Sequence, residues 1–348
     1  GTFTATNRGF YTVGSIIYNK GTTSVTGPFA VQVAENGTGT FNGGSITSAN
    51  DTAFRHNSTG EVVLNGTTIT APNGFAINSN RTVDSVNETG KLTINKGTIT
   101  TGKTNQIYGD FILSGGTLRA TPPTDSTDSI GVVSFYGKTM EMIGGTIVKT
   151  STSLGGAPFN NVSTGTINLL GGTIKIEGGT SSANIIYHNG TGTLTIDGAT
   201  IINNANGRAV NNVSTGNINI KSGTITSKSS HGVYNNSTGT INIIGGTITS
   251  SDYAIYNKST GRINIGSSGG VVSKTEPHIE RTTSGLVAYA PNTNAPLYIY
   301  DGYFKKLGTP NVILDPDANG YNYRILSGYT LKQTYVDQTY SEAYLEPD

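Results

Sequence analysis

The sequence predicts an all-β protein, a right-handed parallel β-helix (β-solenoid) of about 10–11 coils with about 23 residues and three short strands in each coil. Three observations carry this prediction. The chain repeats itself, each repeat holds short runs in which apolar and polar residues alternate, and glycine is abundant, with 48 among 348 residues. Alternation of this kind is typical of strands, and glycine is typical of the turns between them.

Two neighbouring repeats show the pattern most clearly. Residues 208–227 read RAVNNVSTGNINIKSGTITS, and residues 231–250 read HGVYNNSTGTINIIGGTITS. Weaker copies begin at residues 86, 157 and 187, and a further copy, YAIYNKSTGRINI, begins at residue 253. A fixed period of this length is typical of solenoids, in which each repeat forms one coil.

Each repeat supplies three strands in a fixed order. In residues 231–250, Val233 marks the first strand, Ile241 the second and Ile248 the third. Because one repeat has too few apolar residues to bury a core, neighbouring coils must stack. Stacking predicts two inward columns of apolar side chains: Phe54, Phe159, Ile186, Val210, Val233 and Ile255 in the first strand, and Leu92, Phe111, Met140, Ile167, Leu194, Ile218, Ile241 and Ile263 in the second. The right-handed form follows from the usual handedness of parallel crossovers.

A polar column follows the first strand. Its members are His56, Asn161, His188, Asn212, Asn235 and Asn257. An asparagine stacked on another asparagine has both a donor and an acceptor to offer, and it can also satisfy backbone groups of the turn. We therefore expect a hydrogen-bonded ladder along the inside of the corner.

The repeat divides the chain into a β-helix over residues 1–305 and a tyrosine-rich C-terminal cap over residues 306–348. Residues 1–35 are expected to form an N-terminal cap and the first coil, because an open solenoid end exposes strand edges and core. Insertions near residues 71–86, 120–129, 149–158 and 178–183 all leave from the corner before the first strand. They predict one loop-rich patch, which is either a binding face or a set of tolerated surface loops.

Composition excludes several classes of protein. The net charge is +1 without basic clusters, so we expect no nucleic-acid partner. The chain has no cysteine, and therefore no disulfide or thiolate metal site. No apolar run is long enough for a membrane span, so we expect no membrane insertion in this segment. The first residues do not read as a signal peptide, which suggests part of a longer surface protein.

The segment STGTINIIGGTITS at residues 237–250, together with Ala254–Asn257, resembles the repetitive β-helix regions of large surface adhesins of Gram-positive-type bacteria. Residues 297–331 are similar to the element that closes such regions. The resemblance implies an extracellular position on the bacterial cell surface. It also implies a non-catalytic role in cell adhesion, as a rigid stalk or as a segment that binds glycans or a host or matrix surface.

The alternative function is a polysaccharide-active β-helix enzyme, a lyase or a glycoside hydrolase, with its site on the loop-rich face. Such enzymes need converging carboxylates, either as calcium ligands or as an acid and base pair. The acidic residues here are scattered, and the nearest clusters, Asp125 with Asp128 and Asp315 with Asp317, read as solvated loops. His231 is interpreted as a surface residue without a nearby acid. We therefore predict no catalytic residue, no metal and no cofactor, and leave the enzyme question open.

The outward side of the first strand offers the best binding candidates. Tyr187, Asn211, Tyr234 and Tyr256 fall into one column when the coils are stacked. Aromatic rings with flanking amides are suited to stacking on sugar rings, so this column predicts a carbohydrate platform for a polysaccharide or a host or matrix glycan. The alternative interpretation is that stacked tyrosines only stabilise the sheet, by about 0.5–1 kcal/mol for each contact.

Overall fold

A computed structural model shows an all-β chain in which parallel strands stack as a β-solenoid of about 12 turns, with about 24 residues per turn. The structure describes residues 1–80, 82–83, 86–87, 89–121, 129–150, 155–291, 295, 297–308, 323–336 and 339–348. Within these residues there is no helix, and the predicted fold class is confirmed. The chain forms two compact units, residues 1–181 and 182–348.

In the N-terminal unit each coil contributes one strand to each of three columns, and strands are numbered along the chain. The first column contains β2 (Arg8–Thr12), β5 (Phe29–Glu35), β8 (Thr52–Ser58), β11 (Ile77–Ser79), β16 (Asn105–Ile107), β19 (Val133–Phe135) and β22 (Phe159–Asn161). The second contains β3 (Ser15–Tyr18), β6 (Thr38–Phe41), β9 (Val62–Asn65), β14 (Leu92–Lys96), β17 (Phe111–Leu113), β20 (Thr139–Met142) and β23 (Thr166–Leu169). The third contains β1 (Thr2–Ala5), β4 (Thr22–Val25), β7 (Ser45–Ser48), β10 (Thr68–Ala71), β15 (Thr98–Thr101), β18 (Thr117–Ala120), β21 (Thr146–Lys149) and β24 (Thr173–Ile176). A short antiparallel pair, β12 (Thr82–Val83) with β13 (Val86–Asn87), lies in an insertion.

The C-terminal unit is also built from three columns of strands. Its first column contains β25 (Ile186–His188), β27 (Val210–Asn212), β29 (Val233–Asn235), β32 (Ile255–Asn257) and β35 (Ala288–Tyr289). Two long strands, β26 (Thr193–Asn203) and β28 (Ile218–Ser227), run through both the second and the third column. The second column goes on with β30 (Ile241–Ile243), β33 (Ile263–Ile265), β36 (Leu297–Ile299) and β38 (Tyr323–Ile325), and the third with β31 (Thr247–Ser250), β34 (His278–Arg281) and β37 (Tyr303–Leu307).

The coils stack in register, so equivalent repeat positions lie directly above one another. Val210 pairs with Val233, and Val233 pairs with Ile255. Every residue predicted for the two inward apolar columns is fully buried. The interior is therefore built as the sequence predicts, from the inward apolar side chains of each strand.

The predicted polar ladder forms a hydrogen-bonded row through its three asparagines in the C-terminal unit. Asn212 Nδ2 donates to Asn235 Oδ1, and Asn235 Nδ2 donates to Asn257 Oδ1, each at 3.1 Å. Each amide also donates to a glycine carbonyl of its own coil, at Gly216, Gly239 and Gly261. We call Asn212, Asn235 and Asn257 the inner ladder; all three side chains are fully buried.

In the N-terminal unit a histidine takes a ladder position. His56 is fully buried; its Nε2 lies 3.0 Å from the Gly60 carbonyl oxygen, and its Nδ1 lies 3.1 Å from Ser79 Oγ. Burial lowers the pKa of His56 to about 4, with the bond to Gly60 opposing the shift. The imidazole is therefore neutral near neutral pH and takes over the role of the amide.

Antiparallel strands follow the last parallel coil at the C-terminal end. Here β40 (Tyr340–Pro347) pairs with β37 on one side and with β39 (Tyr329–Val336) on the other. Tyr303 donates to Glu342 Oε2 at 2.7 Å across the first of these pairs. The predicted acidic pair Asp315 and Asp317 lies outside the described residues.

Much of the predicted insertion patch also lies outside the described residues, including Asp125 and Asp128. The insertion after β21 is described from residue 155 onward. There Lys149 is fully buried, and its Nζ donates to the carbonyl oxygens of Gly155 and Gly156. Burial lowers the pKa of Lys149 to about 8. Lys149 is the last residue of β21, so these hydrogen bonds hold residues 155 and 156 against the end of that strand.

Candidate functional site

The predicted outward column exists in the C-terminal unit and extends by one residue. Tyr187 pairs with Asn211, Asn211 with Tyr234, Tyr234 with Tyr256, and Tyr256 with Tyr289. The pairing follows from in-register stacking of β25, β27, β29, β32 and β35. The residues are thus brought together, but they do not form the uniformly exposed platform that the alternation of the sequence suggests.

Two members of the column are covered. Tyr234 and Asn211 are each only 4% exposed. The guanidinium carbon of Arg208 lies 3.7 Å from the centre of the Tyr234 ring, and the His231 ring stacks on Tyr234 at 5.3 Å with an angle of 3° between the planes. Asn211 Oδ1 is buried and has no hydrogen-bond partner among the described residues.

The covering side chains come from the position three residues before the column, where each coil turns into its first strand. Arg208, His231 and Tyr253 occupy this position in successive coils. Tyr253 stacks on Tyr289, with ring centres 4.8 Å apart, and packs against Tyr256 at 5.5 Å. These residues therefore lie over the outward face of the first strand column.

The result is a continuous cluster that we call the aromatic surface. It consists of Arg208, His231, Tyr234, Tyr253, Tyr256 and Tyr289. Tyr256 is central, because its ring contacts those of Tyr234 at 5.1 Å, His231 at 4.9 Å and Tyr289 at 5.1 Å. Tyr256 is half-buried, and burial, followed by the neighbouring tyrosines, raises the pKa of its hydroxyl. Its hydroxyl therefore stays protonated and able to donate a hydrogen bond.

The structure contradicts the interpretation of His231 as a surface residue without a nearby acid. His231 is only 8% exposed, and its Nδ1 lies 3.1 Å from Asp252 Oδ2. Burial lowers the pKa of His231 to about 4; Asp252 opposes this shift, while Arg208 and Arg281 add to it. The imidazole is neutral near pH 7 and acts as a packed ring between tyrosines.

A second arginine borders the aromatic surface. Arg281 extends from the end of β34, with its guanidinium carbon 5.0 Å from the centre of the Tyr253 ring and its Nη2 3.6 Å from Asp252 Oδ1. Its Nη1 donates to the Leu286 carbonyl oxygen at 3.0 Å. Two arginines and one aspartate thus give this side of the unit a surplus of positive charge, which suits it to a polar or acidic ligand.

Sequence reasoning missed Arg208, His231, Tyr253 and Tyr289 as members of the site. A signal was present, since the residue three positions before each outward residue is also large in successive repeats. Alternation of apolar and polar residues does not predict where a side chain at a corner points. The recurrence of large residues therefore marks the position but does not predict that they cover the strand face.

The residues that the structure describes hold no group of three or more histidine, aspartate or glutamate side chains placed to bind a metal ion. The described part of the chain also lacks a helix of the length and hydrophobicity that a membrane span requires.

Fold and site together define a class, a parallel β-solenoid that carries an aromatic surface with arginines on one strand column of its C-terminal unit. Comparison of the chain with models of protein families, with curated proteins and with solved structures found no match. Its function is therefore argued from its own residues.

Proposed function

We propose that this chain is a non-catalytic, saccharide-binding β-solenoid, a segment of a larger adhesin on a bacterial cell surface. Its solenoid serves as a rigid stalk, and the aromatic surface contacts a polysaccharide or a host or matrix glycan. The in-register core supports the stalk role, because every coil repeats the same buried contacts along the chain.

One observation carries the binding role. Tyr253, Tyr256 and Tyr289 form a half-exposed cluster on an otherwise polar strand face. Aromatic rings present an apolar face with a polar edge, which matches the apolar C–H face and the hydroxyl rim of a sugar. Arg208 adds N–H donors beside the rings. We expect the sugar to lie against Tyr253 and Tyr256 and not against Tyr234, whose ring face is already covered by Arg208.

The test is a glycan array probed with the parent protein and with a Tyr253→Ala/Tyr256→Ala double variant, both displayed as multivalent complexes because single stacking contacts are weak. The double variant should lose array binding and keep its circular dichroism spectrum. The matched control is Tyr108→Ala, which removes one ring of another stacked pair, Tyr108 and Tyr136, whose centres lie 4.4 Å apart in the N-terminal unit. Equal binding by parent and double variant would contradict the site, and no binding by the parent would leave only the stalk role.

The polysaccharide-active enzyme remains as a second candidate because of one contact, the approach of His231 Nδ1 to Asp252 Oδ2 at 3.1 Å. An imidazole beside a carboxylate is a common acid and base pair. Burial of His231 between tyrosine rings argues against this role, since a proton acceptor must reach the substrate. Release of unsaturated or reducing ends from pectins and related polymers, abolished by His231→Gln, would favour the enzyme.

A further inference from the structure

A second row of asparagines lies on the outward side of the second strand column in the C-terminal unit. Asn219, Asn242 and Asn264 pair in register through β28, β30 and β33. Asn242 Nδ2 donates to Asn219 Oδ1 at 2.8 Å, and Asn264 Nδ2 donates to Asn242 Oδ1 at 2.7 Å. We call these three residues the outer ladder. Their side chains are half-buried and present an array of amide groups at the surface.

An arginine ends the outer ladder. Arg262 Nε donates to Asn264 Oδ1 at 2.6 Å, and Arg262 Nη2 donates to the Tyr300 hydroxyl. The guanidinium carbon also lies 3.6 Å from the centre of the Tyr298 ring, so the planar group is held by stacking as well as by hydrogen bonds. Tyr298 occupies the ladder position in the next coil, where it pairs with Asn264. The exposed arginine is thus fixed in one orientation before any ligand arrives.

A surface groove opens beside this arginine. It is lined by Asn242, Ile244, Arg262, Asn264, Gly266, Ser267, Ser268 and Tyr300. Amides and hydroxyls dominate the lining, and Ile244, which is 45% exposed, adds one apolar edge. Groups that both donate and accept hydrogen bonds are the natural partners of sugar hydroxyls.

The charge of Arg262 is not neutralised by the described part of the protein. No carboxylate of the described residues lies within ion-pair distance of its guanidinium. Asp301, next to Gly266 of the groove, is already engaged, because its carboxylate accepts hydrogen bonds from the backbone N–H groups of Ser273, Lys274 and Gly302. Arg262 therefore keeps N–H donors for an external carboxylate, which an arginine can hold through two parallel hydrogen bonds.

We propose that this groove is a binding site for a saccharide chain with carboxylate groups, a uronic-acid polymer in chemical terms. The carboxylate binds Arg262, the sugar hydroxyls bind Asn242, Asn264 and the two serines, and Tyr300 flanks the ring. The inference takes its ligand class from the proposed saccharide-binding function, but the site is separate from the aromatic surface. An acidic peptide offers Arg262 a carboxylate as well, so the experiment includes one as a competing ligand.

The experiment measures binding of a short oligogalacturonate by calorimetry, with its methyl ester as a ligand of the same backbone without charge. The parent should bind the acid, and bind the ester at least about tenfold more weakly, because a hydrogen bond to a charged group is worth about one decade in affinity or more. Arg262→Gln should weaken binding of the acid by a similar factor. Lys228→Gln, which removes an exposed cation after β28, is the control and should bind as the parent does.

The outcomes separate the two proposals. Tyr253→Ala/Tyr256→Ala should bind the acid normally, so loss of array binding in that variant and loss of uronate binding in Arg262→Gln are independent results. Failure of the parent to bind the acid, equal binding of acid and ester, or unchanged binding by Arg262→Gln would each overturn the groove proposal. Equal affinity for an oligoglutamate peptide would also overturn it, because charge alone would then explain recognition.

Discussion

The inner and outer ladders of the C-terminal unit are both rows of asparagines, with one residue from each successive coil, but they differ in burial. Amide-to-amide distances are 3.1 Å in the inner ladder and 2.7 to 2.8 Å in the outer ladder, so the contacts along the two rows are alike. The inner amides are fully buried and also bind turn carbonyls, whereas the outer amides border solvent. Burial, and not residue identity, therefore decides whether a repeated asparagine is part of the interior or stays accessible at the surface.

The free-energy cost of removing a hydrogen-bond partner also differs between the buried and the exposed ladder. Leaving a buried donor or acceptor without a partner costs about 1–3 kcal/mol, whereas a hydrogen bond that water can replace contributes about 0.5–1.5 kcal/mol. We therefore expect substitutions around the inner ladder to reduce stability and those in the outer ladder to alter binding.

The largest expected effect comes from the turn that holds the inner ladder. In Gly239→Ala the new Cβ would lie 2.2 Å from the Gly216 carbonyl oxygen of the neighbouring coil. Backbone, and not a flexible side chain, would have to move, so we expect a loss of about 3 kcal/mol, at the upper end of the cost of overpacking. The measurement is the midpoint of chemical unfolding. The control is Gly269→Ala, where nothing lies within 4 Å of the added Cβ. Equal midpoints for the two variants would show that the coils stack less closely than described.

A direct comparison of the ladders gives the next largest effect. Asn235→Leu should reduce the free energy of unfolding by about 1–3 kcal/mol, because the Gly239 carbonyl and Asn257 Oδ1 would lose a donor inside the protein. Asn242→Leu removes the same group from the outer ladder and should cost less than about 1 kcal/mol, since water can replace it. Both are measured by urea unfolding. Similar losses would mean that the inward and outward assignments of the two strands are wrong.

A further effect, which depends on pH, appears on acidification. His188, fully buried at the ladder position below Asn212, has its pKa lowered to about 4 by burial, with a hydrogen bond to the Gly192 backbone in opposition. In the unfolded chain the imidazole has its ordinary pKa of 6.5, so the unfolding free energy falls as the pH drops from 6.5 towards 4. For this residue alone the loss at about pH 5 is about 2 kcal/mol.

His188→Asn should remove that share of the pH dependence. The new amide would also lie below Asn212 Oδ1, which is buried and has no hydrogen-bond partner among the described residues. Unfolding midpoints at about pH 7 and about pH 5 test this expectation, because only the titrating side chain makes the two proteins differ between those conditions. Parallel pH profiles for parent and variant would show that the stability does not depend on the charge of His188.

The sequence was sufficient to predict the interior. Equivalent positions of a repeat must stack when coils are in register, so alternation within one repeat assigns Val233 and Ile241 to the core and Asn235 to the ladder. The structure has about 12 turns, close to the predicted 10–11 coils, and the strands within residues 2–35, where the repeat is weak, pair in register with the next coil.

The surface was less predictable. Alternation correctly aligned Tyr187, Asn211, Tyr234 and Tyr256, but it has no information on side chains that fold back from a corner. Arg208 and His231 cover Tyr234, whereas the pattern shows only that large residues recur three positions before the column. Asp252 belongs to the turn that precedes the next coil, so its approach to His231 depends on a turn conformation that residue types alone do not specify.

The inner ladder also affects how the number of coils in such a protein can change during evolution. Asn212, Asn235 and Asn257 each present the same donor and acceptor to the neighbouring coil, so the contacts at the two ends of a coil are interchangeable. Loss or duplication of one whole repeat by recombination between similar stretches of the gene would join one asparagine to another in the same geometry. The number of coils can therefore change one at a time, while each protein produced along the way keeps a complete interior.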